Sequence, residues 1–91
     1  MKRMRVKISG RVQGVFFRAE TERMAISLNL TGWVRNMENG DVEALFEGDD
    51  KDVERMLIWC HNGPPHARVD RVETEEQPYS GDLRGFSVLY W

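Results

Sequence analysis

The chain is poor in cysteine, in charge imbalance and in long apolar runs, and each shortage closes off a class of protein. Cys60 is the only cysteine, so an internal disulfide is impossible and a cysteine-based zinc site has too few ligands. A lone cysteine also fits a reducing, cytoplasmic setting. No apolar run approaches the ~20 residues that cross a bilayer. Lys2, Arg3, Arg5, Lys7 and Arg11 lie near the N-terminus, but apolar residues alternate with them. No continuous apolar stretch follows, which argues against a secretory signal. Lysine and arginine total 13 against 15 aspartates and glutamates, a net charge of −2. A protein that holds nucleic acid mainly through phosphates carries a basic excess, and this chain has none overall.

What is present is 91 residues, 41% hydrophobic and 31% charged. That is enough for one core and too little for two, so a single domain over residues 1–91 is expected. Met4, Val6 and Ile8 alternate with Arg5, Lys7 and Ser9, the period of a half-buried strand. Gly10 to Gly14 breaks that period and reads as a loop. Phe17, Thr21, Met24, Ala25 and Leu28 recur at helical spacing, with Glu20, Glu22 and Arg23 on other faces. Leu30 to Met37 reads as a strand, Glu38-Asn39-Gly40-Asp41 as a hairpin turn, and Val42, Ala44 and Phe46 as the return strand, ended by Gly48. Asp49 is placed to cap a second helix carrying Val53, Met56, Leu57 and Cys60, which stops before Gly63-Pro64-Pro65. Ala67 to Gln77 reads as a strand at an edge, and Phe86, Val88 and Tyr90 as a closing strand. The expected fold class is α+β: a ferredoxin-like βαββαβ sandwich, its sheet antiparallel and its two helices packed on one face.

That fold hosts many functions, so function must come from sites. Gly10-Arg11-Val12-Gln13-Gly14-Val15-Phe16-Phe17-Arg18 joins a strand to a helix start. Such a loop can turn successive backbone N–H groups toward one anion, with the helix dipole adding to the attraction. Arg18, in the first helical turn, opposes that dipole unless a bound anion offsets it, and its guanidinium can grip two oxygens of a phosphoryl group. The plainer reading is a connecting loop with solvated Arg11 and Arg18. Gln13 can touch a substrate or stabilise a turn. Phe16 and Phe17 read as packing residues, the one nearer the loop as a wall of the site. Asn36, ending the second strand, either hydrogen-bonds the turn or orients a water through its non-titrating amide. Trp33 reads as core.

Taken together, the two segments change that balance. Ile8 to Arg18 resembles the first signature of the acylphosphatase family, and Gly32-Trp33-Val34-Arg35-Asn36, continuing through Gly40, Val42 and Gly48, resembles the second. Length, element order and the Gly63-Pro64-Pro65 stretch are similar as well. The resemblance implies hydrolysis of the carboxyl–phosphate bond of acyl phosphates. It implies a phosphate cradle from the backbone of Val12, Gln13, Gly14, Val15, Phe16 and Phe17, with Arg18 as the phosphate-binding side chain and Asn36 as the residue that positions the attacking water. Met37 stands where some relatives have threonine, which puts hydroxyl assistance there in doubt. The chemistry agrees: a carboxylate leaves readily, so anion donors and a placed water suffice without a strong general acid. The expected partner is a small acyl phosphate, with no cofactor, metal, nucleic acid or membrane, and the chain acts as a cytoplasmic monomer.

Competing features have plainer readings. Cys60 reads as a small core residue, and His61 points away from it on the helix, so Cys60, His61 and His66 do not assemble a metal site. Asp49, Asp50, Asp52 and Glu54 read as a helix cap and a solvated first turn. Glu73, Glu75 and Glu76 read as a solvated face. Arg84 to Tyr90 partly resembles an RNA-binding strand of the RRM type, but its central positions differ and it lies on the last strand. A metal carrier of this fold class would present a Cys-x-x-Cys loop, which is missing. Acylphosphatase-like domains also occur within larger carbamoyl-transfer maturation proteins, and the short chain favours a free-standing enzyme. Tyr90-Trp91 reads equally as a packed end or an exposed patch.

Overall fold

The computed structural model describes residues 1–90. Seven elements follow one another: β1 (Lys2–Arg11), α1 (Phe17–Ser27), β2 (Thr31–Asn36), β3 (Val42–Gly48), α2 (Asp50–Asn62), β4 (Arg68–Gln77) and β5 (Phe86–Leu89). They build one five-stranded sheet in the order β4-β1-β3-β2-β5. No helix among the described residues is long and apolar enough to cross a membrane.

The alternating pattern sorts each strand between two faces. Met4, Val6 and Ile8 of β1, Val34 of β2, Val42, Ala44 and Phe46 of β3 and Phe86 of β5 are buried in one cluster. Phe17 and Ala25 of α1 and Val53, Met56 and Cys60 of α2 join the same cluster, so both helices cover one face. Asp49 caps α2 by accepting from the Lys51 N–H at 3.1 Å, and Gly63 closes the helix with a φ of 67°. Phe17 meets Trp59 edge-on, ring centroids 5.5 Å apart, which ties the start of α1 to α2.

Three expectations need correction. The sheet is mixed, not antiparallel: β5 runs parallel to β2, pairing Gly32 with Phe86 through Arg35 with Leu89, and it adds a fifth strand to the βαββαβ plan. The cause is the route of the chain. β4 runs antiparallel to β1 and ends beside Arg3, and residues 78–85 then cross that same end of the sheet. A strand starting there must run in the direction of β1 and β2, and β2 offers the free edge. Second, β1 does not stop before Gly10. After a register shift at Ser9/Gly10, Gly10 and Arg11 still pair with Val69 and Arg68. A Cβ at Gly10 would lie 2.2 Å from the Arg68 carbonyl oxygen, so this glycine serves strand contact and not a ligand. Third, Trp33, read as core, is only half-buried and lies outside the core cluster. Glu43 and Glu47 alternate with Val42, Ala44 and Phe46 and so point away from the helices, yet they are 3% and 2% exposed. Arg5 and Arg35 close over Glu43 from both neighbouring strands. Arg3 and the crossing segment close over Glu47.

Candidate active site

β1 and β2 run the same way, so the loop after β1 and the last residue of β2 arrive at one end of the sheet, opposite the 78–85 crossing. A cavity of about 330 Å³ opens there. Val12, Gly14, Phe16 and Phe17 form its loop side. Arg18, Ala19 and Glu22 contribute from α1, and Asn36, Val88 and Tyr90 from the ends of β2 and β5.

The loop is built to leave donors unused. Gly14 has a φ of 74°. Phe16, the residue that caps α1, sits in the left-handed region at φ 63°, ψ 21°, and no side chain caps the helix. A bulky residue there carries strain on the order of 1–3 kcal/mol, a cost found mostly at functional sites. The first backbone N–H groups of a helix have no partner within it. Here the Glu20 N–H is the one that reaches back to the Phe16 carbonyl, at 3.0 Å, so the donors before it open toward the cavity end of α1. The two phenylalanines part ways. Phe17 is a core residue, as read from the sequence. Phe16 is 77% exposed, which corrects its reading as a packing residue, and it lines the cavity, as expected of the one nearer the loop.

Arg18 has its guanidinium over the Tyr90 ring, 5.0 Å from the centroid. The i,i+4 relation also brings Glu22 to its side of α1, yet no carboxylate among the described residues lies within 4 Å of the guanidinium. Asn36 faces the same cavity, and its Oδ1 is buried without a hydrogen-bond donor among the described residues. A buried acceptor left open costs about 1–3 kcal/mol unless something donates to it.

Gln13 resolves toward the turn. Its amide Nε2 donates to the Met37 carbonyl at 2.9 Å and to the Asp41 carbonyl at 3.0 Å. Its side chain and that of Val15 are absent from the cavity wall. Arg11 is exposed. Asn39 turns inward on the hairpin, its Oδ1 accepting from the Asp41 N–H at 3.0 Å, so the turn does not need Asn36. Cys60 is buried, and burial pushes its thiol up to about 12, as suits a core residue and not a nucleophile. His61 has Nδ1 2.8 Å from the Leu57 carbonyl, and His66 is exposed. Phe86 is buried and stacked on Phe46, centroids 5.6 Å apart, so the RRM-like strand turns that aromatic inward and not toward bases. Tyr90 is exposed beside Arg18, and Trp91 lies outside the described residues.

Ala19, Glu22, Val88 and Tyr90 line the cavity without standing out in the sequence as site residues. Glu22 carried one usable signal, its position four residues after Arg18, on the same side of a helix. Val88 and Tyr90 carried none, because their arrival depends on β5 pairing with β2 across the sheet.

Comparison with known proteins accords with this geometry. The family model described as Acylphosphatase matches residues 4–88. An acylphosphatase of Rubrobacter xylanophilus is 59% identical over 87 residues, covering 96% of this chain and 79% of that protein. The crystal structure of acylphosphatase from Bacillus subtilis superposes with a TM-score of 0.95 at 33% identity, covering 99% of this chain and 100% of that one. An acylphosphatase structure from Coxiella burnetii gives 0.92 at 40% identity, covering 97% and 92%. The family match takes in the loop, both helices and the strand that ends in Asn36, and on that ground the chain belongs to the acylphosphatase family.

Proposed function

We propose that this family member hydrolyses acyl phosphates in the cavity at the start of α1, with the phosphoryl group held by backbone N–H groups between Val12 and Phe17 and by Arg18, and the attacking water positioned by Asn36. The observation that carries the reading is a convergence. An uncapped helix N-terminus, a guanidinium without a carboxylate partner among the described residues and an orphaned amide oxygen all face one cavity.

Each part answers a need of the reaction. The substrate's phosphoryl oxygens are negative in the ground state and in a loose transition state, and fixed N–H dipoles with a bidentate guanidinium stabilise both without reorganisation. Gln13 and Val15 enter through their backbone only. The Asn36 Oδ1 accepts a hydrogen bond from water and aims a lone pair at phosphorus. As the water oxygen bonds to phosphorus, the bond from phosphorus to the carboxyl oxygen breaks, and the leaving carboxylate takes the electron pair. The water's proton passes to a phosphoryl oxygen of the substrate. A carboxylate is a weak base, so no side chain has to protonate it and no metal has to stabilise it. The reading carries with it a monomeric, cytoplasmic protein that works without a cofactor. The free Cys60 fits a reducing compartment.

Hydrolysis of benzoyl phosphate, followed by ultraviolet absorbance in EDTA with p-nitrophenyl phosphate as the comparison, tests this. Fast EDTA-resistant loss of the acyl phosphate with little ester cleavage is expected, with inorganic phosphate as a competitive inhibitor. Activity that EDTA abolishes, or noncompetitive phosphate inhibition, would overturn the site as described.

A further inference from the structure

Once the phosphoryl group is assigned to the loop, Arg18 and Asn36, the rest of the cavity wall consists of Ala19, Glu22, Val88 and Tyr90. An in-line displacement places the leaving group on the side of phosphorus away from the water. Tyr90 follows Leu89, the partner of Arg35, and so neighbours Asn36, which leaves Ala19 and Glu22 of α1 as the part of this wall toward the acyl end of the substrate. Three of the four wall residues are uncharged; Glu22 brings a carboxylate into a cavity whose purpose is to hold an anion.

Among the described residues, that carboxylate has no ion-pair partner. Arg23 pairs with Glu20, at 3.8 Å. Arg18, one helical turn before Glu22, leans on Tyr90. No basic side chain among the described residues lies within 4 Å of Glu22. Glu22 is half-buried against the cavity, so its field acts partly through protein and is less screened than that of a fully exposed residue.

We propose that Glu22 is a specificity-determining residue that selects acyl phosphates with a neutral acyl group over those whose acyl group carries a second negative charge, an inference that rests on the phosphoryl site proposed above. The charge developing on the departing carboxylate is common to all acyl phosphates and cancels in a comparison. A further anionic group on the acyl chain meets Glu22 in one substrate only. Two unit charges about 6 Å apart repel enough, at an effective dielectric between that of a protein surface and that of water, to discriminate roughly three- to tenfold or more.

The test compares kcat/KM for succinyl phosphate, whose chain ends in a carboxylate, with kcat/KM for acetyl phosphate, in the wild-type protein and in Glu22→Gln. The substitution is expected to raise the succinyl-to-acetyl ratio three- to tenfold. Raising the salt concentration should lift the same ratio in the wild type and leave it nearly flat in the variant. A ratio unchanged within twofold by the substitution, or one with the same salt dependence in both proteins, overturns the role of Glu22. Failure of the wild type to hydrolyse either compound is a different result and overturns the underlying reading of the site instead.

Discussion

The Gln13 side chain reaches from the loop after β1 to the Met37 carbonyl, 2.9 Å away, and so fastens the proposed phosphate cradle to the residue that follows Asn36. The same amide holds the Asp41 carbonyl on the other side of the hairpin. Two segments separated by more than twenty residues are thereby kept in register by one side chain.

Gln13→Ala should consequently lower kcat for benzoyl phosphate on the order of tenfold while changing stability little, because placement of the water relative to phosphorus suffers and not the core. Steady-state kinetics alongside a urea melt reads both effects. A wild-type kcat in the variant would mean that the clamp is dispensable.

Arg18 and Asn36 should separate by kinetic signature. Arg18→Ala is expected to lose most of kcat/KM and to weaken inhibition by inorganic phosphate, because both substrate and product lose the guanidinium. Arg18→Lys should restore only part of this, since an ammonium cannot grip two oxygens in one plane. Asn36→Ala should cut kcat by about 10²-fold or more with KM nearly unchanged, the mark of a group that acts on the reacting water. Near-normal turnover in Asn36→Ala would remove it from the mechanism.

Gly32 tests how closely β2 and β3 approach. Its φ is 140°, and a Cβ there would lie 1.8 Å from the Leu45 carbonyl oxygen, an atom of the backbone that cannot move aside. Gly32→Ala should destabilise the fold by about 3 kcal/mol or more. Gly14→Ala is the control. Its φ is 74° but nothing lies within 4 Å, so only the backbone conformation resists, at about 1 kcal/mol. Urea midpoints of the two variants should rank in that order, and equal losses would contradict it.

Glu47 makes stability depend on pH at the end of the molecule away from the cavity. Burial alone would raise its carboxyl, but hydrogen bonds from the Ser80 N–H, Arg3, the Ser80 hydroxyl and the Gly81 N–H outweigh burial and hold it below the ordinary 4.5. A carboxyl lowered by folding stabilises the native state above its unfolded value, and that contribution disappears as pH falls from about 4.5 through the lower native value. Stability measured by urea between pH 7 and pH 3 should drop across that range. Glu47→Gln should be less stable at pH 7, by about 1–3 kcal/mol, and should lose part of the acid slope. An undiminished slope would place the acid sensitivity elsewhere.

How much could be read in advance follows from which features are local. Short-range patterns specify most of the elements, the α2 cap and the family: the alternation of Met4, Val6 and Ile8, the helical recurrence of Phe17, Thr21 and Ala25, the Asn39-Gly40 turn and the Asp49 cap are patterns within a few residues, and the two signatures lie in continuous stretches. Local sterics and hydrogen bonding specify such features wherever the rest of the chain goes. The direction of β5, the burial of Glu43 and Glu47, and the arrival of Tyr90 over Arg18 and of Glu22 in the cavity wall emerge when the sheet is assembled. A carboxylate on an alternating strand has the sequence pattern of a solvated residue. It becomes buried because arginines from two other strands, or a loop more than thirty residues later, close over it. Burial and charge pairing across a sheet are set by strand order, and strand order depends on where distant segments meet, which no short window of the chain contains.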